Sequence, residues 1–429
     1  MKRRQFVQTL GAGSAVAGLG LMSGCATTGS GAKVVVVGGG YGGATAAKYV
    51  RMFSDYGIDV TLIEPNAAFV SCPISNLVVG GHKTMADITT PYDNLSKRHG
   101  VKMVRDMVDS IDPARRTVKL ASGGELPYDR LIVSPGIDFI GDIPGLAKPG
   151  AQDKVLHAWK AGPQTLALRR QLEAMPDGGV YALSIPLAPY RCPPGPYERA
   201  CMAASYFKKA KPRSKVLILD SKDSFSKQAL FQQGWQALYG ERIEWVGRAG
   251  DGRVVRADAG RRELLCEFGQ RHRAAVINLI PPQKAAEIAA RSGLVDSSGW
   301  VPIRPATFQA REAGDIYVAG DACIAAPMPK SAYSANAQAK VAVAALLADL
   351  AGQEPPTASW RNTCYSALAP GQAVSIAADY GIREQRLVEL PGSLTLSPLQ
   401  PPAGLRAQEA ALADAWYQSI CMDAWGHLA

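Results

Sequence analysis

Four consecutive valines, Val34 to Val37, run without a break into Gly38-Gly39-Gly40-Tyr41-Gly42-Gly43. A continuous β-branched run of this kind predicts a strand buried on both faces of a parallel sheet. Gly38, Gly40 and Gly43 take the three glycine places of G-x-G-x-x-G: a tight turn, a close approach of backbone to pyrophosphate, and the packing of helix on strand. Ala44-Thr45-Ala46-Ala47-Lys48-Tyr49-Val50 continues as a helix, whose N-terminus favours phosphate. A second strand, Ile58 to Ile63, ends in Glu64, 21 residues after Gly43, where an acid meets a ribose hydroxyl. This order of elements commits the N-terminal part to a dinucleotide-binding fold.

The chain has 429 residues, and its first 30 read as an address. Arg3-Arg4 followed by a Gly/Ala-rich apolar run to Leu21 fits a twin-arginine export signal, too short and interrupted for the ~20 apolar residues of a membrane span. Leu21-Met22-Ser23-Gly24-Cys25 also has the form of a lipoprotein site, leaving a lipid anchor at Cys25 open beside a plain cut near Ala32. The expected location is the periplasm. Removing Lys2, Arg3 and Arg4 lowers the net charge from +10 to +7, a diffuse balance. The cluster Lys208 to Lys215 has no interleaved aromatics and reads as a solvated helix end, so no nucleic-acid partner is expected. Seven cysteines remain beyond Cys25, an odd number, so at least one lies outside any intramolecular bridge. No C-x-x-C-H haem site, no H-E-x-x-H and no Walker sequence occurs; neither metal hydrolysis nor nucleotide triphosphate chemistry has visible equipment.

Two later segments identify the dinucleotide. Tyr128 to Gly136 and Asp315-Ile316-Tyr317-Val318-Ala319-Gly320-Asp321-Ala322 resemble flavoprotein disulfide reductases. That resemblance implies FAD, with Asp321 on the ribityl chain; a plain helix cap is the other reading of Asp321. In that superfamily a second dinucleotide domain binds NAD(P)H. Here its first strand, Gly179 to Ile185, is followed by five prolines between Pro186 and Pro196 and by no G-x-G-x-x-G. Proline removes the backbone donors a pyrophosphate needs, so no NAD(P) partner is expected, although Lys215 to Asp220 continues the sheet.

Arg191-Cys192-Pro193-Pro194-Gly195-Pro196-Tyr197-Glu198-Arg199-Ala200 resembles the redox-cysteine loop of the flavoprotein subunit of flavocytochrome c sulfide dehydrogenases. Ser71-Cys72 with Ser75-Asn76, His157 to Gly162, Val276 to Gln283, Gly320 to Ala332 and Asn362 to Ser366 match the same family in order, and the likeness fades after about Gly392. The resemblance implies FAD bonded covalently to Cys72, although Pro73-Ile74 departs from the family's aromatic-led pair. It also implies a redox disulfide between Cys192 and Cys364, and a proton-moving carboxylate at Glu198. Hydrosulfide would attack the disulfide, and the electrons would pass through FAD to a separate c-type cytochrome subunit. Cys201, Cys266, Cys323 and Cys421 receive no role. A sulfide:quinone oxidoreductase-like enzyme and a catalytically silent flavin-binding subunit are the alternatives.

The expected fold is α/β: two Rossmann-like domains of the glutathione reductase type plus a C-terminal α+β domain. The boundaries are a signal over 1–30, FAD-binding parts over 31–150 and 300–352, the second dinucleotide-like domain over 151–299, and a flavin-covering or partner-docking part over 353–429. Trp416, Tyr417 and Trp425 are of the type enriched at interfaces and are candidate docking residues, with core packing as the alternative.

Overall fold

The computed structural model describes residues 31–427 apart from Asp142 and Ala147; the expected export signal over 1–30 and the candidate lipid site Cys25 lie outside the described residues. The valine run forms the strand Lys33–Val37, flanked in parallel by Asp59–Ile63 and Arg130–Val133. Lys102–Val104 extends this sheet on one side. On the other, Ala313–Val318 joins it in parallel and Gln309–Ala310 closes the edge antiparallel. One sheet is therefore assembled from two distant stretches of chain, and its valines and leucines are buried in a core shared with the helices Tyr41–Phe53 and Ala332–Leu350 and with the antiparallel strands Val108–Asp112 and Thr117–Leu120.

A second parallel sheet lies between those stretches, in the order Val155–Leu156, Val276–Leu279, Val180–Ile185, Lys215–Asp220 and Ile243–Val246. The helix Gly195–Ala210 follows its central strand. The basic cluster starting at Lys208 is the end of that helix and the loop to the next strand.

The C-terminal part pairs the long strands Trp360–Ala369 and Gln372–Arg383 in an antiparallel sheet, backed by the helix Leu405–Trp425. It has no core of its own. Trp360, Ala378, Tyr380, Tyr417, Ile420 and Trp425 belong to the core of the first domain, whereas Leu368 and Val374 belong to that of the second. Burial of apolar surface, at about 25 cal/mol per Å², thus fastens this part to both domains at once.

Two of the candidate docking residues are corrected by this packing. Trp425 is fully buried and Tyr417 is 2% exposed; Trp425 stacks on Phe69 at 4.7 Å and meets Tyr41 edge-on at 4.9 Å. Their aromatic surface is consumed inside the chain, and half-buried Trp416 lines an internal cavity. No helix among the described residues is long and apolar enough to cross a membrane.

Candidate active site

A cavity of about 570 Å³ lies where the three parts meet. At one end is the glycine loop. Gly38 has φ +93°, and a Cβ there would sit 2.4 Å from the Ser134 carbonyl oxygen; a Cβ on Gly43 would be 1.8 Å from the Gly38 oxygen. Both positions exclude a side chain because backbone meets backbone. Gly40 differs: its nearest neighbour would be a Phe69 ring carbon at 3.5 Å, so the space over its backbone opens into the cavity. Gly40 caps the helix Tyr41–Phe53 without a side-chain bond, leaving the first-turn N–H groups to a ligand.

Glu64 stands at the end of the second strand and lines the cavity, and its carboxylate also holds the loop. One oxygen accepts from the Gly39 N–H at 2.9 Å, the other from the backbone and side-chain amides of Asn66 at 2.9 and 2.7 Å. A carboxylate offers about four lone-pair sites, so capacity for a ribose hydroxyl survives.

Asp321 follows the strand Ala313–Val318. It does not cap the next helix, Ala332–Leu350; that cap is Ser331, whose hydroxyl accepts from the Ser334 N–H at 3.0 Å. Asp321 Oδ1 is buried without a hydrogen-bond partner, and Oδ2 lies 4.0 Å from Arg191 Nη1. Burial raises its pKa, with Arg191 and Lys330 opposing. An orphaned buried acceptor is costly unless a ligand donor completes it. The glycine loop, Glu64 and this unpaired oxygen together fit a dinucleotide whose hydroxyls reach Asp321.

The cysteines reach the same cavity from three directions. Cys72 lies between the strand Ala68–Val70 and the helix Ser75–Val79, on a turn where Ile74 has φ +71°. That value is strained for a β-branched residue. Its sulfur accepts from the Ala161 N–H at 3.3 Å and donates to the Trp159 carbonyl at 3.7 Å.

Cys192 is itself left-handed, with φ +56°. Its N–H donates to the Lys330 carbonyl at 2.8 Å, its carbonyl accepts from Gly195 at 2.9 Å, and the Arg191 N–H donates to Gln283 at 2.8 Å. The proline-rich loop is thus pinned from several sides. A Cβ on Gly195 would come 2.9 Å from the Cys192 sulfur, which accounts for glycine at the start of the following helix. Cys364 enters from the strand Trp360–Ala369. Both Cys192 and Cys364 line the cavity, both are thiols here, and burial raises both, with Cys364 the largest neighbouring charge acting on Cys192.

Glu198, in the first turn of the helix Gly195–Ala210, also lines the cavity. Its carboxylate accepts from Asn76 Nδ2 at 2.7 Å and from the Ala367 N–H at 2.9 Å, and no ion pair with Arg199 forms. Burial raises its pKa above the ordinary carboxylate range despite these bonds, which suits a group that exchanges protons with a bound sulfur.

Sequence reasoning missed Arg199. It is 1% exposed and donates to Asn76 Oδ1, Asn278 Oδ1 and the carbonyls of His157 and Ala158; it also lies over the Trp159 ring at 4.8 Å. Its cationic head fixes the wall between Cys72 and Cys192 through neutral acceptors. Arg199 lies within the matched loop, but its partners come from three separated segments, at Asn76, 157–159 and Asn278, and left no local pattern. Of the unassigned thiols, Cys323 is buried, pushed up to about 12 by burial, and bonded to the Gly320 carbonyl at 3.2 Å. It lines a second cavity of about 390 Å³ instead. Cys201 accepts from the Trp235 indole at 3.2 Å, and Cys266 and Cys421 are buried in the cores. No group of three or more candidate metal ligands occurs among the described residues.

Comparison with known proteins covers most of the chain. Residues 32–173 match the pyridine nucleotide-disulphide oxidoreductase family. Residues 165–281 match the central part of the sulfide dehydrogenase [flavocytochrome c] flavoprotein chain, and residues 356–425 the flavocytochrome c sulphide dehydrogenase flavin-binding family. The mitochondrial sulfide:quinone oxidoreductase of Mus musculus is 26% identical over 335 residues, 74% of this chain and 71% of that protein. The sulfide:quinone oxidoreductase structure from Aquifex aeolicus superposes with a TM-score of 0.73 at 18% identity, covering 92% of each chain, which establishes a shared α/β fold. The sulfide dehydrogenase [flavocytochrome c] flavoprotein chain of Chlorobaculum thiosulfatiphilum is 63% identical over 46 residues, 11% of this chain and 94% of that sequence. These matches, on a fold whose glycine loop, Asp321 and cysteines share one cavity, show that the chain belongs to the flavoprotein chains of flavocytochrome c sulfide dehydrogenases.

Proposed function

We propose that the chain oxidises hydrogen sulfide at a Cys192–Cys364 disulfide and delivers the electrons, through FAD, to a c-type cytochrome subunit. The observation that carries this reading is the convergence of Cys192, Cys364 and Glu198 with Cys72 and Asp321 on one cavity. Gly38, Gly40, Gly43, Glu64 and Asp321 would hold FAD, and Cys72 would bond to it covalently.

In its oxidised form the pair offers hydrosulfide an electrophilic S–S bond. Attack forms a persulfide on one sulfur and leaves a thiolate on the other, so the electron pair from sulfide now resides on the chain's own sulfurs. Glu198, raised by burial, takes up the proton that the bound sulfur loses. A second sulfur nucleophile releases the sulfane sulfur as sulfur or polysulfide. FAD held there by Gly38, Gly40, Gly43, Glu64 and Asp321 would supply a two-electron acceptor able to release electrons singly.

The region corresponding to a nicotinamide site supports the exclusion of NAD(P). Asp220 ends its strand as Glu64 ends the other, but it is fully buried. Its carboxylate accepts from Tyr197 at 2.5 Å, Trp245 at 3.2 Å and the Lys222 ammonium at 2.5 Å. Tyr197 stacks on Phe225 with centroids 3.7 Å apart. The acid is engaged internally, with the aromatic side chains of Tyr197 and Trp245 donating to it. With no haem attachment sequence, the electrons need an external carrier. For a protein exported through Arg3-Arg4, that carrier is a periplasmic cytochrome bound through a largely apolar interface.

The test is to supply sulfide anaerobically to the purified complex and follow haem reduction beside quinone reduction. Haem reduction without quinone turnover supports the proposal. Quinone reduction with no cytochrome bound transfers the chain to the sulfide:quinone reading, and NADH-driven flavin reduction would refute the exclusion of NAD(P).

A further inference from the structure

Lys227 has no part in the mechanism above. It stands at a left-handed position, φ +62°, immediately before the helix Gln228–Tyr239 of the second domain. Its side chain is buried, with 7% exposure, and crosses to the C-terminal sheet. There Nζ donates to the Cys364 carbonyl at 3.0 Å and to Ser366 Oγ at 2.8 Å. Both acceptors are neutral, so the hydrogen bonds do not discharge the ammonium. A buried cation without a bonded carboxylate is costly and draws negative charge towards itself.

The groups facing it come from every element packed around it: Cys364 on the C-terminal strand, Glu198 on the helix Gly195–Ala210, Cys192 in the loop before that helix, and Glu409 on the last helix. Glu409 is already engaged by Ser375 and Ser397 and by Arg406 at 3.1 Å. Of these groups Cys364 ranks first in charge coupling to Lys227. Lys227 in turn is the leading charge that favours the Cys364 thiolate, whereas at Cys192 it ranks behind Arg191.

We propose that Lys227 is a positioning residue for the cysteine pair: from behind the cavity wall its ammonium anchors the strand carrying Cys364 and stabilises the thiolate that appears there when hydrosulfide opens the Cys192–Cys364 bond. The inference rests on the disulfide reading above. Hydrosulfide sulfur bonds to the Cys192 sulfur, the S–S bond breaks, and its electron pair goes to Cys364, so no further oxidant or reductant is needed. Burial lowers the Lys227 pKa. The assistance is therefore present at lower pH and is lost as pH rises through the Lys227 titration.

The experiment uses the full-length holoprotein, reduced anaerobically and alkylated with iodoacetamide across a pH series, with the Cys192 and Cys364 peptides quantified separately. Lys227→Met should slow alkylation of Cys364 by about tenfold, equivalent to one pKa unit, with a smaller effect at Cys192; Lys227→Arg should restore the profile. If Lys227→Met does not fold, Ser366→Ala carries the test, because it loosens the ammonium without removing its charge. A slowing of about threefold, half a pKa unit, is then expected at Cys364. An unchanged Cys364 profile in the folded variants overturns the role of Lys227. Non-reduced wild type, digested in parallel, should contain a Cys192–Cys364 crosslinked peptide. Its absence would refute the disulfide reading itself, an outcome distinct from failure of Lys227 alone.

Discussion

The indole Nε1 of Trp425 donates to the carbonyl oxygen of Gly39 at 3.1 Å, joining the last helix to the first nucleotide loop across 386 residues. The bond is buried and lies beside the stack of Trp425 on Phe69. Trp425→Ala should therefore destabilise the protein by about 3–5 kcal/mol. Trp425→Phe, which keeps a ring but orphans the Gly39 oxygen, should cost about 1–3 kcal/mol. Urea unfolding followed by circular dichroism measures both; equal stability of all three proteins would mean that the C-terminal helix is not fastened through this residue.

Gly40 and Gly43 should fail differently when changed to alanine. At Gly43 the new methyl meets the Gly38 oxygen at 1.8 Å, and the strand–helix contact must open, at a cost of at least about 3 kcal/mol. At Gly40 the nearest atom is 3.5 Å away, so the fold should persist while the methyl intrudes where pyrophosphate would lie. Thermal melts of the apoproteins, beside FAD content after expression, separate the outcomes. Normal FAD content in Gly40→Ala would argue against pyrophosphate at this loop.

Cys72→Ser should still take up FAD through the glycine loop, Glu64 and Asp321, but should release it on acid precipitation. Wild type should retain flavin on a peptide containing Cys72. Fully extractable flavin in wild type would remove the covalent bond while leaving the binding site intact.

Glu198→Gln should lower the rate of flavin reduction by sulfide by about 10²–10⁴-fold. Burial raises the Glu198 pKa, so the ionised form that accepts a proton gains population at higher pH than an ordinary carboxylate. The wild-type rate should rise with pH through that limb, and the glutamine variant should lack it. Stopped-flow reduction at a series of pH values is the measurement; an unchanged limb in Glu198→Gln would assign it to another group.

The nucleotide site was legible because it is local. Val34 to Gly43 encodes strand, turn and helix in sequence, Glu64 follows directly on the strand Asp59–Ile63, and Asp321 stands just past the end of the strand Ala313–Val318, so pattern fixes position. The meeting of Cys72, Cys192 and Cys364 was legible only through family likeness, since no spacing in the chain dictates it. Lys227 and Arg199 were not legible at all. The burial and partners of Lys227 depend on how the second domain packs against the C-terminal sheet, and those of Arg199 on how it packs against the helix Ser75–Val79, which no local period records. Trp425 shows the same limit in reverse: an aromatic near a chain end reads equally as surface or core until its stacking partners are in place.

The central claim is that sulfide electrons enter through the Cys192–Cys364 pair. Anaerobic titration of the holoprotein with sulfide, followed by the flavin spectrum, tests it most directly when wild type is compared with Cys192→Ala and Cys364→Ala. The wild-type flavin should bleach. Both variants should remain oxidised with sulfide and bleach with dithionite, and to the same degree, because either change destroys the one S–S bond. Near-normal bleaching by sulfide in both variants would contradict the account and place the chemistry elsewhere in the chain.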